Sequence, residues 1–92
     1  MKVLVIIHRN SDRAAEDFAA LLEPGAAHTR RLYAEGTARE IYSRADGNGS
    51  VLILEADNEG HAKAIADELP VIKAGLMHYE IYGLKPYRAF VA

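Results

Sequence analysis

The chain has 92 residues, no cysteine and a formal net charge of −2, with 50% of its residues hydrophobic and 26% charged. That length holds one core of ordinary size, so residues 1–92 read as a single domain of globular rather than disordered composition. Lack of cysteine excludes disulfides, thiolate metal sites and thiol redox chemistry, and acids interspersed with bases argue against nucleic acid as a partner, the one local basic cluster, Arg30-Arg31, being too small to bind a phosphate backbone.

In chain order, Val3-Leu4-Val5-Ile6-Ile7 is a continuous apolar run, as expected of a strand buried on both faces. It is too short to cross a bilayer and is followed by no cleavage site, so the expected location is cytoplasmic, away from membranes. Asn10, Ser11 or Asp12 can cap a helix, and Ala14, Phe18, Leu21 and Leu22 recur at helical spacing. Glu23-Pro24-Gly25 interrupts that helix; Thr29, Leu32 and Tyr33 continue it, and Gly36 closes it. Thr37 to Arg44 reads as a strand and Ala45-Asp46-Gly47-Asn48-Gly49 as a turn. Ser50 to Ala56 is the next strand. Asp57 or Asn58 caps a helix carrying Ala62, Ile65, Ala66 and Leu69, which Pro70 stops. Leu76 to Leu84 is the last strand, and a second apolar patch, Tyr87 to Val91, lies in the tail.

The order β-α-β-β-α-β, with right-handed crossovers, implies an α+β fold of the ferredoxin-like type: a four-stranded antiparallel sheet with both helices on one face. Val3, Val5 and Ile7 then point to one side of the sheet and Leu4 and Ile6 to the other. An apolar face without helices is the kind of patch that marks an interface, and a second copy packed on it would cover it. The expected assembly is therefore a homodimer through the sheet faces, with room for a higher oligomer.

Glu35-Gly36-Thr37, Arg39 and Tyr42 resemble the end of the first helix and start of the second strand in muconolactone isomerases. Leu69-Pro70 followed by Met77, Glu80, Gly83 and Leu84 resembles their second-helix exit and last strand, with about two extra residues around Lys73 to Gly75. The resemblance, spanning most of residues 28 to 85, implies a dimeric α+β barrel with a pocket for a small organic acid or aromatic compound. That group includes isomerases, cofactor-free monooxygenases and polyketide cyclases. The charges that the isomerases carry along the second half of helix one are replaced here by Gly25, Ala26 and Ala27, and an acidic residue near the end of the last strand by Tyr82. A substrate other than muconolactone is therefore expected.

Strand alternation puts His78, Glu80 and Tyr82 on one face, opposite Met77, Tyr79 and Ile81, and puts His8 on the face of Leu4 and Ile6. First and last strands are neighbours in this topology, so His8 can approach His78 and Glu80. A histidine, a carboxylate and a phenol converging in a partly dry cavity can move protons, the glutamate having its pKa raised by burial. The catalytic candidates are therefore His78, Glu80, Tyr82 and His8. Arg39 can hold a carboxylate in its bidentate fork, and Tyr42 shares a face with Glu40; both are substrate-binding candidates. The plainer reading of each is a hydrogen bond across an interface or a solvated rim position. Tyr33 and Phe18 are expected in the core, and His28 and His61 at the surface.

His8, His78 and Glu80 contain the donor types of a two-histidine, one-carboxylate site, but the spacing is not specific, so neither a metal nor another cofactor is expected. No serine elbow or phosphate loop is present. The expected function is a cofactor-independent isomerase or cyclase moving protons on a small carbonyl, lactone or aromatic compound. Alternatives are a non-enzymatic dimeric module that binds a small ligand or supports a partner enzyme, and a cofactor-free monooxygenase.

Overall fold

The computed structural model describes residues 1–90. Four strands, β1 (Lys2–Arg9), β2 (Ala38–Ser43), β3 (Gly49–Glu55) and β4 (Met77–Gly83), form one sheet in the order β2-β3-β1-β4. All neighbouring pairs are antiparallel. The continuous apolar run of β1 lies in the middle of the sheet, where backbone groups on both sides are paired.

Helices α1 (Ala15–Ala20), α2 (Leu22–Ala34), α3 (Glu59–Asp67) and α4 (Pro70–Lys73) accompany the sheet. The core is one layer of Val3, Val5, Ile7, Leu52 and Leu54 from the strands against Leu32, Ala62, Ala66 and Leu69 from the helices. Ala62 and Ala66 are fully shielded, and their small side chains bring α3 close to β1 and β4. No polar side chain is buried among the described residues.

Glycine chemistry ends two of the helices. At Gly36 (φ 80°), the Thr37 N–H reaches back to the Leu32 carbonyl and the Gly36 N–H to that of Tyr33. At Gly75 (φ 72°), Leu76 and Gly75 make the same pair of bonds to Val71 and Ile72. Both are αL closures that satisfy end-of-helix carbonyls. Asn58 caps α3 as expected, its side chain accepting the His61 N–H at 2.8 Å.

Several expectations are corrected. The first helix begins at Ala15 behind Ala14, whose N–H meets the Asp17 carboxylate at 3.3 Å; none of Asn10, Ser11 and Asp12 caps it. The interruption falls at Leu21 rather than at Glu23-Pro24-Gly25. Pro24 sits in the first turn of α2, where a missing N–H costs nothing because that turn's N–H groups have no intrahelical acceptor. The helix before Pro70 ends at Asp67, and Pro70 opens α4, with extended Leu69 before it as proline sterics require. Tyr33 is 62% exposed rather than buried, and Leu22 is likewise exposed. Phe18 is half-buried beneath the Arg9 guanidinium, 4.0 Å from its ring centroid. His28 is only half-exposed and meets Arg31 at 3.2 Å. In the tail, Tyr87 packs edge-on against Phe90; Val91 of the expected tail patch lies outside the described residues. No helix among them is long and apolar enough to cross a membrane.

Candidate functional site

The sheet register assembles a row of polar side chains on the helix-free face. His8 stands opposite His78, Ile6 opposite Glu80 and Leu4 opposite Tyr82. Because side chains alternate along a strand, all six project to the same side. The His8 and His78 rings stack with centroids 5.1 Å apart and planes 28° from parallel.

A continuous chain of hydrogen bonds runs through this row. An Arg44 guanidinium N–H lies 2.7 Å from His8 Nδ1, and His8 Nε2 lies 2.7 Å from Glu80 Oε1. Arginine can only donate, so Nδ1 accepts, and the ring proton sits on Nε2 and is donated to Glu80. The Tyr82 hydroxyl donates to the other Glu80 oxygen at 2.5 Å. Arg44 is itself oriented by Asp46 at 2.6 Å, and Asp46 also accepts the Asn48 N–H, so the hairpin turn anchors one end of the chain. His78 Nδ1 lies 2.5 Å from Asn10 Oδ1, and the Asn10 amide donates to the Gly75 carbonyl at 2.8 Å. Asn10 thus ties the end of β1 to the loop before β4, which accounts for its absence from a helix cap.

The electrostatics correct one expectation. The Glu80 carboxyl lies below its usual range, not above it, because the Tyr82 hydroxyl and then His8 donate to it; desolvation opposes this and is outweighed on a half-exposed side chain. Glu80 is therefore an ionised acceptor that orients His8. The same bond raises the Tyr82 phenol above its ordinary value.

Two cavities meet at this end of the sheet. One of about 470 Å³ is lined by His8, Arg9, Asn10, Arg13, Phe18 and Arg44, with Ser11 and Asn48. The other, about 920 Å³, runs beneath the break between α1 and α2 to α4 and Met77.

A family model, the YCII-related domain, matches residues 1–86. The chain belongs to the YCII-related family. No curated protein matches its sequence. Among solved structures, this YCII-related chain is similar to muconolactone isomerase, with a TM-score of 0.78 and 18% identity over 100% of this chain and 96% of that one. It is also similar to 5-chloro-2-hydroxyhydroquinone dehydrochlorinase from Burkholderia phenoliruptrix AC1100 in complex with 2,5-dihydroxybenzoquinone (TM-score 0.74, 19% identity, 92% of this chain and 94% of that one). Its fold is thus the one these structures share, a ferredoxin-like α+β fold with a four-stranded antiparallel sheet.

In the YCII-related chain, His8, His78, Glu80 and Tyr82 come together as alternation and strand order imply. Tyr42 and Arg39 do not join them. Tyr42 lies on β2, beyond β3, with its hydroxyl on Glu40 at 2.8 Å, and lines the larger cavity instead. Arg39 occupies an irregularity between Ala38 and Glu40 and lines neither cavity. The guanidinium that reaches the histidine belongs to Arg44, a residue absent from the sequence-based candidates. Its signal was its position two residues after Tyr42 on the same face, next to the turn. Among the described residues no three side chains of metal-binding type are grouped to hold a metal ion.

Proposed function

We propose that this chain is a small-molecule enzyme, a cofactor-independent isomerase or cyclase in which His8 carries the proton. The observation behind this reading is the unbroken Arg44–His8–Glu80–Tyr82 chain. Glu80 holds the ring in one tautomer, as the acid of a histidine–carboxylate pair does. In the resting chain Nδ1 is occupied by Arg44. An anionic substrate competes for that guanidinium and releases the Nδ1 lone pair beside itself. Nδ1 then takes a proton from a carbon next to a carbonyl, the electron pair moves onto the carbonyl oxygen, and return of the proton to a different carbon completes an isomerisation. His78 stacks on the ring and keeps it in place, and Tyr82 steadies Glu80.

Similarity to two enzymes whose names describe a lactone and a chlorinated hydroxyhydroquinone supports a small oxygenated substrate. The enzyme works as a homodimer through its helix-free sheet faces. Leu4, Ile6, Val51 and Ile53 form a half-buried apolar strip there, flanked by Tyr42 (58% exposed) and Tyr82 (48% exposed).

The test is hydrogen exchange in deuterated water, followed by NMR, on a panel of small enol-lactones and hydroxyquinones. His8→Asn is expected to slow exchange by about 10²-fold or more, the ordinary yield of a positioned base. Exchange at an unchanged rate in His8→Asn refutes the reading. The full occupancy of both His8 nitrogens favours a second reading, a small-ligand-binding module. Exchange of no compound by the wild-type protein, with retained binding, would select it.

A further inference from the structure

The two cavities share three of their walls: Arg9, Phe18 and Arg44 line both. They therefore adjoin at the end of the sheet, one beside His8 and the other under the helix break, with the stacked Arg9 and Phe18 side chains at the boundary. Their lining departs from the composition of the chain. The protein carries 13 acidic and 11 basic side chains and is net negative. Arg9, Arg13, Arg30 and Arg44 line the two cavities, and no aspartate or glutamate does.

Those charges differ in how far they are already neutralised. Arg30 pairs with Glu23 at 2.7 Å and Arg44 with Asp46 at 2.6 Å. Arg13 has only a loose contact with Asp12 at 3.9 Å, and Arg9 has no ion-pair partner among the described residues. The positive field thus concentrates in the smaller cavity, beside the His8 ring. The larger one is walled mainly by Leu21, Ile41, Leu52, Val71 and Met77, with Phe18 at the junction. A charged mouth leading into an apolar cleft of about 920 Å³ has the make-up of a small-ligand site, for which volumes of about 300–1,000 Å³ are usual.

We propose that the adjoining cavities together bind an amphipathic monocarboxylate. Its acid group lies on Arg9 and Arg13 near His8, and a flat apolar body extends under the α1–α2 break. This places the bound compound on the helix-covered side of the sheet, reaching the polar row only at the strand end. It rests on the preceding reading solely for the proximity of the acid group to His8.

The probe is 2-naphthoate, titrated into isotope-labelled protein and followed by amide shifts. The expected result is saturable shifts at Arg9, Phe18, Val71 and Met77, with 2-naphthylmethanol, the neutral counterpart, bound at least about tenfold more weakly. Arg9→Gln should weaken naphthoate binding by a similar factor without affecting the alcohol. Gly25 lines the cleft, and a Cβ built on it meets nothing within 4 Å, so the backbone there accepts a side chain and Gly25→Leu adds bulk at the wall. It should weaken both compounds. Glu80 lines neither cavity, so Glu80→Gln should leave naphthoate binding within about twofold while slowing any exchange activity, which separates this proposal from the catalytic one. Equal binding of acid and alcohol, shifts confined to Leu4, Ile6 and Val51, or no saturable binding overturns the proposal.

Discussion

Gly49 runs so close to Ile7 that a Cβ on it would stand 1.8 Å from the Ile7 carbonyl oxygen. Its φ of 147° lies where L side chains rarely go, and the atom in the way is backbone that cannot yield. Because Gly49 pairs with His8, this contact also sets where the histidine sits.

Gly49→Ala should therefore destabilise the fold by about 2 kcal/mol or more, lowering Tm by about 10 °C in a chain of this size. Gly25→Ala, in the open first turns of α2, should be neutral or slightly stabilising. Thermal unfolding of both variants checks the contrast, and equal Tm values would contradict it.

Asp67 accepts from the Tyr79 hydroxyl at 2.5 Å and from Lys63 at 2.9 Å, joining α3 to β4. The Tyr79 bond first, then Lys63, holds its carboxyl below the ordinary 3.8. A depressed folded-state pKa means the unfolded chain takes up the proton first, so this stabilisation is present above pH 3.8 and is lost as pH falls through the lower folded value. Asp67→Asn keeps an acceptor for Tyr79 but cannot titrate. Its denaturation midpoint should fall less steeply than that of the wild type below pH 3.8. Parallel slopes would show that Asp67 is not coupled to folding.

Glu-Ile-Tyr occurs twice, at residues 40–42 and 80–82, once on each edge strand, and in both copies the tyrosine donates to the glutamate. That bond raises Tyr42 and Tyr82 above 10.0, and burial followed by the Asp67 bond raises Tyr79. Tyrosinate absorbance should therefore show late titration of these three phenols. Glu80→Gln should return one of them toward 10.0. Only the second copy touches a histidine, so Glu80→Gln should slow exchange by about tenfold or more, whereas Glu40→Gln should leave it unchanged. Equal effects from the two would remove the histidine contact from the mechanism.

Ile53 sits mid-strand on the helix-free face, opposite Leu4. Ile53→Lys leaves the helix-side core untouched, so the chain should stay folded while the proposed homodimer dissociates, seen as halved mass in sedimentation at micromolar concentration. A wild-type protein that is already monomeric there would refute the homodimer.

The sequence alone determined the element order, the sidedness of each strand and hence the row of His78, Glu80 and Tyr82. These follow from covalent geometry: alternation is a property of extended backbone, and glycine at Gly36 closes a helix wherever it lies. Tertiary structure decided what the row touches. Arg44 reaches His8 only because the β2–β3 hairpin returns it to the end of β1, 36 residues away. Glu80 is ionised rather than proton-sharing because Tyr82 and His8 converge on it in the open. The larger cavity lies under a helix break at Leu21 rather than at Pro24, a boundary that local propensity is too weak a guide to place.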